Sequence, residues 1–198
     1  MRFCDELDVG FGWIDEGGVP RTSHVLAAPG GVWLFDPVDM PGLDDRIREL
    51  GEPRGVVQLL DRHGRDCGSI ARRLGVPLHH VPFDGIPDSP FDVIRILRIP
   101  GWRELAVWWP ERRVLVAGDA LGTLPYFREP GERLGIHPGL RLTPPRRLFA
   151  YDPLHVLVGH GGGVHGEDAG THLRRALDRS RRGFLGALAH GIRAARRD

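Results

Sequence analysis

Three short apolar runs in this chain each end abruptly in polar residues, and that pattern limits the fold more than any other feature. Val56-Val57-Gln58-Leu59-Leu60 leads into Asp61-Arg62-His63-Gly64-Arg65-Asp66-Cys67. Val114-Leu115-Val116-Ala117 leads into Gly118-Asp119, and His155-Val156-Leu157-Val158 into Gly159-His160-Gly161. Short apolar runs bounded by turn formers read as buried strands. Polar side chains crowded just past strand ends are where sites are built on a rigid scaffold.

The rest of the chain supplies the sheets. Apolar runs at residues 8–14, 24–28 and 32–35, with a turn at Pro29-Gly30-Gly31, read as an antiparallel meander that ends in Asp36-Pro37. Residues 42–50 place Leu43, Ile47 and Leu50 at helical spacing before Gly51 and Pro53 stop them. A helix is expected over 67–74 and a strand over 76–81. A second strand series follows at 91–99, 104–109 and 114–117, broken by Pro100-Gly101 and Pro110-Glu111. Residues 121–145 are irregular and rich in Gly and Pro, the mark of a functional or mobile loop. Helices are expected over 168–177 and 182–195, the second with an apolar stripe of Leu185, Leu188 and Ile192. Two strand-rich halves punctuated by helices predict an α+β fold of two packed sheets with helices outside. A length of 198 residues suits one domain spanning the chain.

Composition narrows the function classes. At 41% hydrophobic and 27% charged, with no apolar run near the roughly 20 residues of a membrane span, the chain reads as soluble. The opening MRFCDELDVGFG meets acidic residues at once and lacks the apolar stretch of a secretory signal, so a cytoplasmic location is expected. Two distant cysteines, Cys4 and Cys67, make no disulfide framework. The net charge is +1 and every basic residue is arginine. The arginines from Arg174 onward lack interleaved aromatics, so a solvated face is expected, with no nucleic acid and no membrane as partner. A small molecule is the expected ligand; nothing indicates an oligomeric state. The glycine run 161–163 lacks a P-loop context, and no G-x-S-x-G elbow supports a serine hydrolase.

The order of the three clusters resembles the metallo-β-lactamase superfamily from about Ser23 to Gly161. Residues 32–36 match the family's first meander ending in an acid, and 60–69 fall on its T-H-x-H-x-D-H-x-G-G loop. Arg98-Ile99-Pro100-Gly101-Trp102 stands at H-T-P-G-H, Gly118-Asp119 at G-D, and Gly159-His160-Gly161 at G-H-G. The resemblance implies a four-layer αββα sandwich and a metal site. It keeps His63, Asp119 and His160 unchanged and puts Asp61 and Asp66 at two histidine positions, where either could also serve as catalytic base. Arg65 replaces the loop aspartate and Trp102 the fourth histidine.

Carboxylates and imidazoles both ligate divalent metals, so Asp61, His63 and Asp119 could hold one ion and Asp66, Asp119 and His160 another. A guanidinium is always protonated and repels a neighbouring cation, so Arg65 argues against a second metal. A one-residue insertion would instead put Asp66 and Cys67 on the Asp-His pair, with the thiolate as ligand. His165 is a further alternative ligand. Tyr126, Phe127 and His137 are the expected pocket rim, and His79, His80, His155, His172 and His190 are ordinary packing or surface residues. Two readings follow. One is a hydrolase of an ester, thioester, lactone or phosphoester using at most one zinc, manganese or iron ion. The other is a metal-free, non-catalytic binding or regulatory protein in which Arg65 pairs with the converging carboxylates and replaces the metal charge.

Overall fold

A computed structural model describes residues 1–181. The strands β1 (Arg2–Leu7), β2 (Gly10–Asp15), β3 (Arg21–Ala28) and β4 (Gly31–Phe35) form the meander, followed by α1 (Leu43–Leu50) and β5 (Pro53–Gln58). Then α2 (Cys67–Leu74) leads to β6 (Leu78–His80), completing a six-stranded sheet in sequential order. The second half contains β7 (Asp92–Ile99), β8 (Trp102–Trp109) and β9 (Val114–Ala117), and β10 (Leu121–Gly122) pairs with β11 (Gly135–Ile136) as a small ribbon. After β12 (His155–Val158) and β13 (Val164–His165) comes α3 (Ala169–Arg179), and the second sheet runs β13-β12-β9-β8-β7.

Three apolar layers hold these elements. Leu26, Trp33, Phe35, Val57, Leu105, Val107, Trp109 and Val116 fill the space between the two sheets. Outside the first sheet, Leu43 and Ile47 of α1 and Ile70 and Ala71 of α2 bury against Trp13, Leu34 and Val56. Outside the second, Leu173, Ala176 and Leu177 of α3 pack on Ala106, Leu115 and Val156. Burial of one helix stripe against each outer sheet face is what the i, i+4 spacing of Leu43 and Ile47 requires. The result is the αββα order of layers. Among the described residues, no helix is long and apolar enough to cross a membrane.

Several elements differ from the sequence pattern. The strand β1 was not expected; it is an edge strand whose exposed polar residues weaken its apolar signal. The irregular stretch 121–145 contains β10 and β11, and β13 is two residues long, below what periodicity can detect. The strand expected over 76–81 is shorter, Leu78–His80, with the His79 ring 5.8 Å from Trp33. The helix expected over 182–195 lies outside the described residues.

Strand direction places the site. β4 and β5 run parallel in one sheet and β9 and β12 parallel in the other, with Val158 beside Ala117. The residues just past β4, β5, β9 and β12 therefore emerge at one edge of the sandwich. Backbone bonds tie the sheets together there: Thr22 N–H donates to Gly159 O at 2.8 Å and Asp61 N–H to Arg103 O at 3.0 Å.

Candidate functional site

Four strand ends deliver four side chains to one point. Asp36 follows β4, His63 lies in the loop after β5, Asp119 follows β9, and His160 follows β12. His63 Nε2 is 2.9 Å and His160 Nε2 3.0 Å from the same oxygen, Asp119 Oδ1. The two rings meet edge to face at 5.6 Å. Gly159 permits this approach, because a Cβ there would stand 3.1 Å from His63 Cε1 and 3.0 Å from Gly118 O.

The opposite nitrogen of each ring is committed behind. His63 Nδ1 lies 2.7 Å from Asp36 Oδ2, and His160 Nδ1 lies 2.6 Å from Pro20 O. A carboxylate and a carbonyl only accept, so each neutral ring carries its proton on Nδ1 and presents a lone pair at Nε2. Both lone pairs then face Asp119 Oδ1, a buried oxygen left without a donor. Three electron-rich atoms converging within 4.8 Å call for a cation between them. Histidines held from behind by a carboxylate or carbonyl are how proteins fix metal ligands. The residues present therefore fit one divalent metal ion.

Without a metal, a proton takes that role. Burial opposes protonation of His63, but the Asp36 charge and the bond to Asp119 outweigh it and push His63 up to about 9. Burial alone would raise Asp119, yet its bonds to His160 and His63 hold it far below the usual carboxylate range.

The remaining expected ligands do not join this cluster. Asp61 Oδ2 accepts the Arg103 backbone N–H at 3.1 Å, tying the loop to β8. Asp66 Oδ2 accepts the Asp39 N–H at 2.8 Å, at the head of α2. Cys67 is buried in the layer under α2, its Sγ directed at His63 O, and burial pushes its thiol well above the usual value. His165 binds Asp5 Oδ1 at 2.9 Å, away from the three. Arg65 does not pair with the carboxylates of Asp61, Asp66 or Asp119. Its guanidinium donates to the carbonyls of Thr22, Asp36 and Gly159 and so clasps three strand ends from both sheets.

The walls are aromatic on one side and cationic on the other. Phe127 is fully buried and stacks on His160 at 6.0 Å, so it is a floor rather than a rim. Tyr126 packs on Phe127 at 4.3 Å, and the His137 ring meets Trp102 at 4.9 Å. Trp102 donates its indole N–H to Glu104 at 2.8 Å. Sequence reasoning missed Arg62, whose NH2 reaches Asp119 Oδ2 at 3.5 Å, and Glu104, a fully buried acid raised by burial to about 7. An acid inside the apolar run 104–109 was the available signal for Glu104.

No protein-family model matches the chain. No curated protein matches it either. Solved structures do. The DIM-1 metallo-β-lactamase aligns at 16% identity over 94% of this chain and 97% of its own, with a TM-score of 0.60. A metallo-β-lactamase from Pontibacter korlensis aligns at 15% over 89% and 98%, TM-score 0.56. TTHA1623 in a di-iron-bound form aligns at 19% over 77% and 94%, TM-score 0.55. The layers and the strand-end centre thus define an α+β sandwich with a His–Asp–His cluster at one edge. More particularly, the chain has the metallo-β-lactamase fold. At these identities the reaction has to be argued from the site itself.

Proposed function

We propose that this protein is a hydrolase that binds one divalent metal ion, zinc, manganese or iron, through His63 Nε2, His160 Nε2 and Asp119 Oδ1. The single observation behind this reading is the shared aim of two histidines at one carboxylate oxygen, with both Nδ1 protons already engaged. Three protein ligands with an open position are the pattern of a catalytic rather than a structural site. When bound by these three residues, a divalent ion would supply a water nucleophile near neutral pH and polarisation of the bond under attack.

The chain's own residues set the rest. Asp36 and the Pro20 carbonyl hold the imidazoles in the ligating tautomer. Asp119 turns Oδ1 towards both histidines and Oδ2 towards Arg62. Asp61 and Asp66 each commit one oxygen, Oδ2, to a backbone amide, and Asp119 Oδ2, beside His63 and His160, is the atom assigned to take the proton of a reacting water. Phe127 and Trp102 shield one side from solvent. The substrate is a small molecule with an ester, thioester, lactone or phosphoester bond.

One observation favours a second reading, a metal-free binding protein. His63 protonated on Nε2 closes the cluster by donating to Asp119 Oδ1. Metal analysis of protein purified without chelator separates the two, together with hydrolysis assays after adding each metal. The hydrolase reading expects one ion per chain, lost in His160→Ala. No bound ion and no gain of hydrolysis with any metal would sink it.

A further inference from the structure

Arg62 bears on what kind of molecule the site admits, and the argument rests on the hydrolase reading above. Its guanidinium carbon lies 4.5 Å over the Trp102 ring. Trp102 is in turn fixed by its indole bond to Glu104 and by the His137 ring at 4.9 Å. The arginine is thus stationed on an aromatic platform beside the centre, yet its side chain remains 49% exposed. Its hydrogen bond to Asp119 Oδ2 is long, 3.5 Å. A guanidinium offers five N–H donors in a planar fork, so most of this one's capacity is unspent.

The surrounding cleft, about 460 Å³, is lined by Arg21, Arg62, Arg65, His63 and His160 and by no carboxylate. The other two arginines are occupied. Arg21 is bound to Asp15 through both Nε and NH2, and Arg65 to three carbonyls. Among these arginines Arg62 keeps the largest share of its donors unspent, since Arg21 is paired with Asp15 and the one unpartnered nitrogen of Arg65, Nε, is buried, and it sits next to the atoms assigned to the reaction.

We propose that Arg62 anchors an anionic group of the substrate, a carboxylate or a phosphate, beside the His63–Asp119–His160 centre. Two parallel N–H bonds from one guanidinium match the oxygen pair of either group. The aromatic platform fixes the fork in advance, which lowers the ordering cost of binding. The long contact to Asp119 Oδ2 yields readily to a ligand. Substrates are therefore phosphoesters, or esters, thioesters or lactones that carry a separate carboxylate.

The test titrates the full chain, zinc-loaded and metal-free, with inorganic phosphate and with acetate at fixed ionic strength. Wild type is compared with Arg62→Lys, Arg62→Ala and Arg98→Ala, the last being a β7 arginine over Phe83 that does not line the cleft. Arg62→Ala is expected to weaken binding of one anion about tenfold or more, the effect of losing a charged hydrogen bond, with Arg62→Lys between. Tighter phosphate binding assigns a phosphoester, and tighter acetate binding a carboxylate-bearing substrate. No binding by wild type, unchanged binding by Arg62→Ala, or an equal loss in Arg98→Ala overturns the anchor. Zinc uptake is measured on the same samples. Intact zinc binding with no Arg62 effect refutes the anchor alone, whereas Arg62-dependent anion binding in protein that takes up none of zinc, manganese and iron, each tried in parallel, refutes the hydrolase reading alone.

Discussion

Asp36 Oδ2 sits 2.7 Å from His63 Nδ1, and this contact decides which nitrogen of the ring is free for a cation. The other oxygen of Asp36 accepts the Leu59 N–H at 2.8 Å, so the carboxylate is held in one orientation. Asp36 itself has φ 44, in the left-handed region that asparagine tolerates. Asp36→Asn should therefore fold. Its oxygen keeps the Leu59 bond, its NH2 faces His63, and the imidazole has to move its proton to Nε2. Zinc affinity is expected to fall about 10–100-fold, measured by competition calorimetry. An unchanged affinity would show that Asp36 does not set the tautomer.

Metal binding has to displace the proton that His63 holds. The His63 value is raised to about 9 in the metal-free protein, so below that pH the ring is largely protonated. Zinc affinity should climb with pH by about tenfold per unit below about 9 and level off above it. In the metal-free protein the same shift stabilises the fold below the ordinary histidine value of 6.5, and that stability is lost as pH rises towards about 9. Titrations at stepped pH check the first statement. A pH-independent affinity would contradict it.

The legible part of the site was what strand order determines. His63, Asp119 and His160 each sit two or three residues past an apolar run that becomes a central strand or its loop, and parallel pairing brings them together. Asp61 and Asp66 stand as close to His63 in sequence, but the loop path decides where they point. Arg65 at φ 38 turns the chain, sending Asp66 to the Asp39 amide. Composition cannot tell whether an arginine will meet carboxylates or carbonyls, and for Arg65 it is carbonyls. The layers were legible because alternating and helical periods survive in β2–β5 and in α1–α3. The strands β1 and β13 were not, being polar at the edge or very short.

Arg65 joins the carbonyls of Thr22, Asp36 and Gly159, one beside each of three strands that frame the site. Arg65→Ala removes a charged donor from all three carbonyls and leaves Asp36 O with the Ser23 hydroxyl and Gly159 O with the Thr22 N–H. A loss of about 2–4 kcal/mol is expected from urea denaturation, together with weaker zinc binding because Gly159 precedes His160. A loss under about 1 kcal/mol would mean that water replaces the guanidinium.

Cys67 and Asp66 supply a test of the ligand set itself. Cys67 is 1% exposed and packs with Ile70, Val56 and Leu34. Cys67→Ala should cost about 1–2 kcal/mol through a small cavity and leave zinc affinity within about twofold. Asp66→Asn, which keeps an acceptor for Asp39, should also leave it unchanged. A marked affinity loss in either variant would place that side chain at the metal after all.

Glu104 carries a pH dependence of its own. It is fully buried between the Ala120 N–H at 2.6 Å and the Trp102 indole at 2.8 Å. Burial raises it from 4.5 to about 7, against the pull of those two donors. A raised acid favours the fold while protonated. This contribution is therefore fully present below about 4.5 and declines as pH rises to about 7, by about 3 kcal/mol at most. Glu104→Gln cannot ionise, so it should remove that slope. It should also cost stability at every pH, because its NH2 faces a donor that the carboxylate had satisfied. Chelator-treated protein unfolded at about pH 4.5, 5.5 and 7 gives the comparison. A wild-type curve as flat as that of the variant would mean that Glu104 is already ionised across the window, held so by the Ala120 and Trp102 donors.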